Sequence, residues 1–553
     1  MKKHNIARAA VSAGLAIAMT FGGVAPATMA FADTAANSTI TINNVTGNQT
    51  SFKGYQIFKA DVVDGTNGGK TVSNIAWAGD TTVAQTAVKN AVEGVIKKHN
   101  ADYAGTTAQD AADWIKDNIK DTTDTTAVAS NSIANELAKA VEGLTSTASV
   151  TGGQASSVLS SGYWLFVTDS DSVDAGSDTT NGETYTSPIF TVIGGTTVTV
   201  TEKSSIPTVD KFVMNDKTGS GWGKVADSQA GQNLQYKLEG TVAQDVTTYN
   251  TYYYKFTDTL SAGLTADASN IRVVIKNGDT ETKVTPTTSR VDTNASSSTD
   301  PKQQTSTLSV EFSDLKAAAT AAKTTLDSNS KVIVYYSAKL DPTKAMKVAS
   351  ADNPNEVKLT YSNNPHSTSH GETVPHKVTD YTYKLNIVKE SSTTEDTKLK
   401  GAEFTIKATD PDDTASKDLY VQQDGSLAST AYTFTTNKNG EIAVSGLDAG
   451  TYTVSEIKSP DGYNKVADFT FEITPTWNAN NTALDHLSVT KTASYVDANA
   501  NNDQVNLTVK DTPGSGLPLT GQAGVTLTFV AGALVLAFGV SRVVRNRKEQ
   551  DAE

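Results

Sequence analysis

Two stretches of this chain repeat one layout of ionisable side chains. Each has a lysine on its first strand-like run, an acid in the middle, and Asn or Asp on its last run. The first layout draws on "TVDKFVM", "YYYKFTDTL" and "EVKLTYSNN", the second on "YKLNIVKE", "GTYTVSEIK" and "NLTVKDTP". A lysine is a nucleophile only after losing its proton, and burial lowers a lysine pKa while raising that of a carboxyl. These sets can therefore do amine chemistry only where the strands turn them inward. A third candidate is Leu517-Pro518-Leu519-Thr520-Gly521, just before the uncharged run Val525–Val540 and the cations Arg542, Arg545, Arg547 and Lys548. Pro518 fixes φ and keeps the pentapeptide extended, a shape that a partner's groove binds at low entropy cost.

Other chemistry finds no footing. The six histidines show no metal-binding spacing. His366, His370 and His376 lie on a Ser-rich run and are expected to be exposed. The acidic stretch Asp410–Asp418 lacks the ligand order of an EF-hand and reads as a plain turn. No Ser-His-Asp order and no glycine-rich phosphate loop stands out. Neither a metal nor a cofactor is expected. The net charge of −14 argues against a nucleic-acid partner, which needs a basic face. With no cysteine, no disulfide can staple the chain.

The elements that must position these side chains are mostly strands. Hydrophobic residues make up 37% of the 553, enough for real cores, and Thr, Ser and Val recur in short alternating runs. The fold expected is mainly β, with tandem Ig-like β-sandwich domains, the first carrying some helix. Helical spacing is clear at Ile133, Leu137, Val141 and Leu144, with Ser130 or Asn131 as the cap. Residues 33–202 read as a mixed, mostly β domain. Residues 203–379 and 380–512 read as β-sandwiches, and 513–553 as a linker followed by the pentapeptide, the apolar run and the basic tail.

Lys2, Lys3 and Arg8 precede the uncharged stretch Ala9–Ala25, and Ala30-Phe31-Ala32 offers a cleavage site. Residues 1–32 therefore read as a signal peptide cut after Ala32. At the other end, Val525–Val540 is marginally short for the roughly 17–25 residues of a membrane span. The cations after it predict a cytoplasmic tail and an external body. Pentapeptide, apolar run and basic tail together resemble the cell-wall sorting signal of Gram-positive surface proteins, with Leu517, Pro518, Leu519, Thr520 and Gly521 as its LPxTG motif. The resemblance implies that a sortase cysteine attacks the Thr520 carbonyl and releases the chain from Gly521 onward. It also implies covalent anchoring to peptidoglycan at the cell surface.

Between the termini, "KLNIVKESSTTEDTKLKGAEFTI" and "GTYTVSEIKSPDGYN" resemble the opening strand and E-box of Cna B-type domains. Ile457 and Ser459 depart from the usual E-box residues. The resemblance implies an isopeptide bond from Lys389 to Asp511, with Asn506 as the fallback acceptor and Glu456 as the assisting acid. "IPTVDKFV", "YKFTDTLSAGLT" and "NEVKLTYSNNP" resemble the isopeptide-forming central domain of major pilins. This implies Lys211 as nucleophile, Asp258 as acid and Asn363 as acceptor. In "GYWLFV" Val167 stands where an E-box glutamate would be, so no such crosslink is expected in the first domain. Sortase-polymerised pilins also carry a lysine at the boundary of their first two domains, usually after Tyr-Pro. Lys203 holds that place here, after Val198, Val200, Thr201 and Glu202.

Taken together, the chain resembles a sortase-assembled major pilin, the shaft subunit of a Gram-positive fimbria. The expected partners are polymerising and housekeeping sortases, identical subunits, minor or tip pilins, and peptidoglycan. The alternative is a monomeric wall-anchored adhesin that binds a host protein or glycan. An enzyme is not expected beyond the autocatalytic crosslinks.

Overall fold

The computed structural model describes residues 37–514, apart from 66–68, 120–126, 218–220, 345, 347–352, 395 and 502–503. The expected signal peptide and the expected sorting signal, Leu517 to Gly521 included, lie outside the described residues. Among the described residues no helix is long and apolar enough to cross a membrane. The chain divides into two compact units, and the division falls between Thr382 and Tyr383; the second also omits Trp477–Asp485, which goes with the first.

The first unit opens with a five-stranded sheet in the order Lys70–Trp77, Ser51–Asp64, Gly162–Thr168, Ile189–Ile193, with Ala148–Thr151 also beside Ser51–Asp64. Helices Thr82–His99, Ala108–Asn118 and Ile133–Val141 pack on one face through Val92, Ile96, Ile115, Leu137 and Val141. The third helix is capped by Ser132, whose hydroxyl accepts from Asn135 N at 3.1 Å. The cap is thus one or two residues later than the spacing alone suggested. The other face is covered by the parallel pair Ile40–Asn43 and Val198–Thr201.

The same unit continues into two seven-stranded sheets. One contains the neighbours Asn353–Ser362, Tyr254–Leu260 and Ser306–Phe312; the other contains Lys331–Leu340, Asn233–Thr241 and Val209–Met214. Their inner faces share one apolar core that includes Val209, Val213, Tyr254, Phe256, Leu260, Val334 and Leu359. Alternation sends every second residue inward. Lys211 falls between Val209 and Val213, and Asp258 between Phe256 and Leu260, so both charges occupy core positions.

The second unit is built from two sheets. One is four-stranded, in the order Glu441–Leu447, Tyr383–Ser391, Gln504–Asp511, Val496–Asn501. The other includes the neighbours Glu403–Pro411, Gly450–Lys458 and Phe469–Trp477. Its first strand and last long strand are parallel neighbours, with Lys389 opposite Val509 and Ser391 opposite Asp511. Tyr383, Leu385, Ile387 and Lys389 are all buried. Lys389 thus sits where an apolar residue would continue the pattern.

Candidate functional site

In the second unit three charged side chains meet with no exposure at all: Lys389, Glu456 and Asp511. Lys389 Nζ donates to Asp511 Oδ1 at 2.7 Å, and Glu456 Oε1 lies 3.1 Å from the same nitrogen. Glu456 reaches inward from the opposite sheet in phase with Tyr452 and Val454, and its Oε2 accepts from Val466 N at 2.7 Å. Phe404 closes the site, its ring centre 5.3 Å from Nζ. Two carboxylates against one ammonium would leave an uncompensated buried charge, which is expensive. Burial pushes the Asp511 carboxyl above its ordinary range, although Lys389 pulls it back. Asp511 Oδ2 has no hydrogen-bond partner among the described residues, so its carboxyl group is only half engaged.

The alternative acceptor Asn506 is on the same strand but with the opposite phase. It pairs across from Asn386 and exchanges hydrogen bonds with Gln504 and Asn499, on the face away from Lys389. The structure thus brings together Lys389, Glu456 and Asp511 and leaves Asn506 out.

In the first unit Lys211 and Asp258 are likewise fully buried, and they form a short ion pair between the two sheets. The Lys211 ammonium sits 5.4 Å from the Tyr236 ring centre and 5.6 Å from that of Tyr336. Burial pulls the Lys211 pKa down to about 8. Burial pushes Asp258 up, against the pull of Lys211. Both shifts favour a neutral amine beside a neutral acid, the protonation state in which a lysine attacks a carbonyl carbon.

The predicted acceptor Asn363 is not at this cluster. Its Nδ2 donates to the Glu183 carbonyl at 3.2 Å, its Oδ1 accepts from Ser369 Oγ at 2.8 Å, and its own carbonyl accepts from Tyr185 N at 2.9 Å. It fastens the far end of its strand to the loop before Ile189–Ile193. The residue brought to the cluster is Asn355, fully buried, whose Nδ2 donates to Tyr336 Oη at 2.6 Å. Asn355 and Asn363 are eight residues apart, about 26 Å along a strand. The physical reason is antiparallel pairing. Asp258 lies near the end of Tyr254–Leu260, so its neighbours come from the start of Asn353–Ser362, where Asn355 faces Leu260 and Val357 faces Asp258. The alternation Asn355, Val357, Leu359, Tyr361 turns Asn355 inward in the sequence, but Asn363 shares that phase, so only the strand register separates the two.

Lys203 follows the strand Val198–Thr201 and is half-buried, with its backbone N–H donating to Thr186 Oγ1 at 2.7 Å. The residue before it was missed at the sequence level. Glu202 is buried, and its carboxylate accepts from Asn44 Nδ2 at 3.1 Å, Val45 N at 2.8 Å, Asn48 Nδ2 at 3.2 Å and Thr50 Oγ1 at 2.7 Å. Ser204 follows, its hydroxyl 2.6 Å from Thr184 Oγ1 and buried. The backbone on both sides of Lys203 is therefore clamped to the first sheet's surroundings.

The remaining candidates fall out plainly. Among the described residues between 37 and 202 no lysine is buried, and Val167 is a core residue. The three histidines do not cluster. His366 is enclosed rather than exposed, with Glu142 on Nδ1 and Asn135 Oδ1 3.0 Å from Nε2. His370 stacks on Tyr253, and His376 lies 3.6 Å from Asp210. Asp413 caps a short turn, and Asp418 pairs with Lys407 at 2.8 Å. No metal-binding cluster occurs among the described residues.

Comparison with solved structures gives distant likenesses. The T6 backbone pilin of serotype M6 Streptococcus pyogenes is 15% identical with a TM-score of 0.48, over 87% of this chain and 99% of that one. The major pilin SpaD of Corynebacterium diphtheriae is 14% identical with a TM-score of 0.42, over 87% and 98%. BcpA, the major pilin subunit of Bacillus cereus, is 15% identical with a TM-score of 0.37, over 87% and 99%. Comparison with curated proteins finds no match. Within the second unit, residues 383–486 match the family model SpaA, a prealbumin-like fold domain.

Proposed function

We propose that this protein is the shaft subunit of a covalently polymerised surface pilus, strengthened by one isopeptide bond in each unit. The observation that carries the reading is the buried set Lys389, Glu456 and Asp511, which spans the first strand and last long strand of a domain without cysteine. In that set the neutral Lys389 amine attacks Cγ of Asp511, Glu456 handles the proton, and water leaves. In the other unit Lys211 attacks Cγ of Asn355, and ammonia leaves. The Lys389–Asp511 bond would join hydrogen-bonded parallel neighbours, and the Lys211–Asn355 bond would join two sheets that otherwise meet through core packing, so tension along the chain would meet a covalent clamp.

Between subunits, a sortase thiol takes the acyl group of Thr520 and releases the amine of Gly521. Lys203 of another copy then attacks that thioester, forming an amide and freeing the thiol. The last subunit passes to peptidoglycan by the same exchange. The sorting signal supports this reading through its sequence, and the clamped backbone around Lys203 supports it through its fixed position. The nucleophile of polymerisation belongs to the sortase, which makes this chain a substrate.

The test is an immunoblot of detergent-boiled cell-wall extracts from the parent and a Lys203→Ala strain. A high-mass ladder that collapses to monomer in the variant is expected. A ladder that survives would move the linkage to another lysine, and a monomer in both strains would leave a wall-anchored adhesin.

A further inference from the structure

The central cluster contains a side chain with no place in the three-residue scheme of lysine, acid and acceptor. Tyr336, on Lys331–Leu340, is 1% exposed. Its hydroxyl donates to Asp258 Oδ2 at 2.5 Å, accepts from Asn355 Nδ2 at 2.6 Å, and lies 3.2 Å from Lys211 Nζ. Asp258 spends its other oxygen on Lys211. Asn355 Oδ1 has no hydrogen-bond partner among the described residues. One phenol therefore touches the acid, the amine and the nitrogen that must depart.

We propose that Tyr336 is a catalytic proton relay in the Lys211–Asn355 condensation, passing a proton from Asp258 Oδ2 to Asn355 Nδ2 as ammonia leaves. The proposal rests on the crosslink reading above. The Lys211 ammonium first gives a proton to Tyr336 Oη, 3.2 Å away, as Tyr336 gives its own to Asp258 Oδ2, leaving a neutral amine and a neutral acid. The amine attacks Cγ of Asn355, and the carbonyl electrons move to Oδ1. Nδ2 is now pyramidal and carries a lone pair, so the hydrogen-bond chain can reverse. Asp258 donates to Tyr336 Oη while Tyr336 donates to Nδ2. The carbonyl re-forms, ammonia departs, and the remaining extra proton on Nζ returns to Asp258. The products are one amide, one ammonia and a protonated Asp258, which balances the starting ammonium, carboxylate and carboxamide.

The geometry gives a reason for the tyrosine. The carboxyl is engaged by the amine, and a phenol bridging to the amide nitrogen lets one acid serve both ends of the reaction. Burial raises the Tyr336 phenol pKa well above its ordinary value, so the hydroxyl keeps its proton until the relay moves it. The ring also stacks on Tyr236, centres 5.1 Å apart, which fixes where the hydroxyl points.

The test follows the full chain made by cell-free translation, quenched in acid denaturant at intervals and weighed, with the linked peptides mapped after proteolysis. Tyr336→Phe removes only the hydroxyl and should slow the loss of ammonia from the Lys211–Asn355 pair by roughly a hundredfold, the scale of general acid–base catalysis. Loss at the parent rate in that variant would overturn the relay while leaving the crosslink intact. A fluorinated tyrosine placed at position 336 keeps the shape and acidifies the phenol. It should shift the pH profile of the reaction, whereas a merely structural ring would leave the profile unmoved. If the parent itself never loses ammonia, the crosslink reading fails, and the relay with it.

Discussion

Lys389 and Asp511 sit on parallel neighbouring strands, two residues out of register, and their side chains still meet at 2.7 Å. Asp511 faces Ser391 across the pair, and both side chains reach into the sandwich between the sheets. Pairing the first strand with the last long strand makes this contact the closure of the domain.

Removing the amine there should expose how much depends on it. Lys389→Ala leaves Asp511 and Glu456 buried against each other with no cation. Breaking one partner of a buried ion pair costs about 3–5 kcal/mol. The second unit should melt well below the parent in scanning calorimetry, and the loss of one water from the intact mass should vanish.

The acceptor in the first unit is decided by two asparagine substitutions. Asn355→Ala should lose no ammonia, whereas the parent is expected to lose one. Asn363→Ala should still lose it. The second variant instead leaves Glu183 and Ser369 groups short of partners, at about 1–3 kcal/mol for each buried unsatisfied group. Intact mass separates the two variants, and thermal unfolding reads the second cost.

Asp245 offers a pH signature. It is fully buried, and neither carboxylate oxygen has a hydrogen-bond partner among the described residues. Burial raises its pKa well above the ordinary 3.8. The folded state then holds a proton that the unfolded state has lost, so stability falls as pH rises from about 3.8 through the raised folded value. Asp245→Asn removes that charge. Its melting temperature should exceed the parent's at neutral pH, and the difference should close as pH falls toward 4.

Glu202 anchors the segment that carries Lys203. Glu202→Ala strips an acceptor from Asn44, Val45 N, Asn48 and Thr50 together. Each donor left buried costs about 1–3 kcal/mol. The variant should melt lower and show a weaker polymer ladder even though Lys203 is intact. Glu202→Gln should recover part of both, since one amide oxygen remains.

Much of this was legible because strand alternation is a strong local rule. "YKLNIVKE" and "GTYTVSE" need only a period of two to say which side chains share a face, and Lys389, Glu456, Asp511, Lys211 and Asp258 all follow it. Asn355, the proposed acceptor, was not legible in the same way. Choosing between two asparagines of the same phase requires the register between strands, and register is set by pairing across the sheet. Asn506 shows the opposite case, where phase alone already turns it away. His366 and Glu202 escaped for a third reason. Their burial comes from residues more than a hundred positions away in sequence, Glu142 and Asn135 for one and the 44–50 loop for the other.

The most direct measurement is the intact mass of the purified mature chain, followed by mapping of its proteolytic fragments. The account predicts a mass short by one ammonia and one water, with Lys211 joined to Asn355 and Lys389 joined to Asp511. A chain of full mass, in which all four residues are recovered on unlinked peptides, would contradict it.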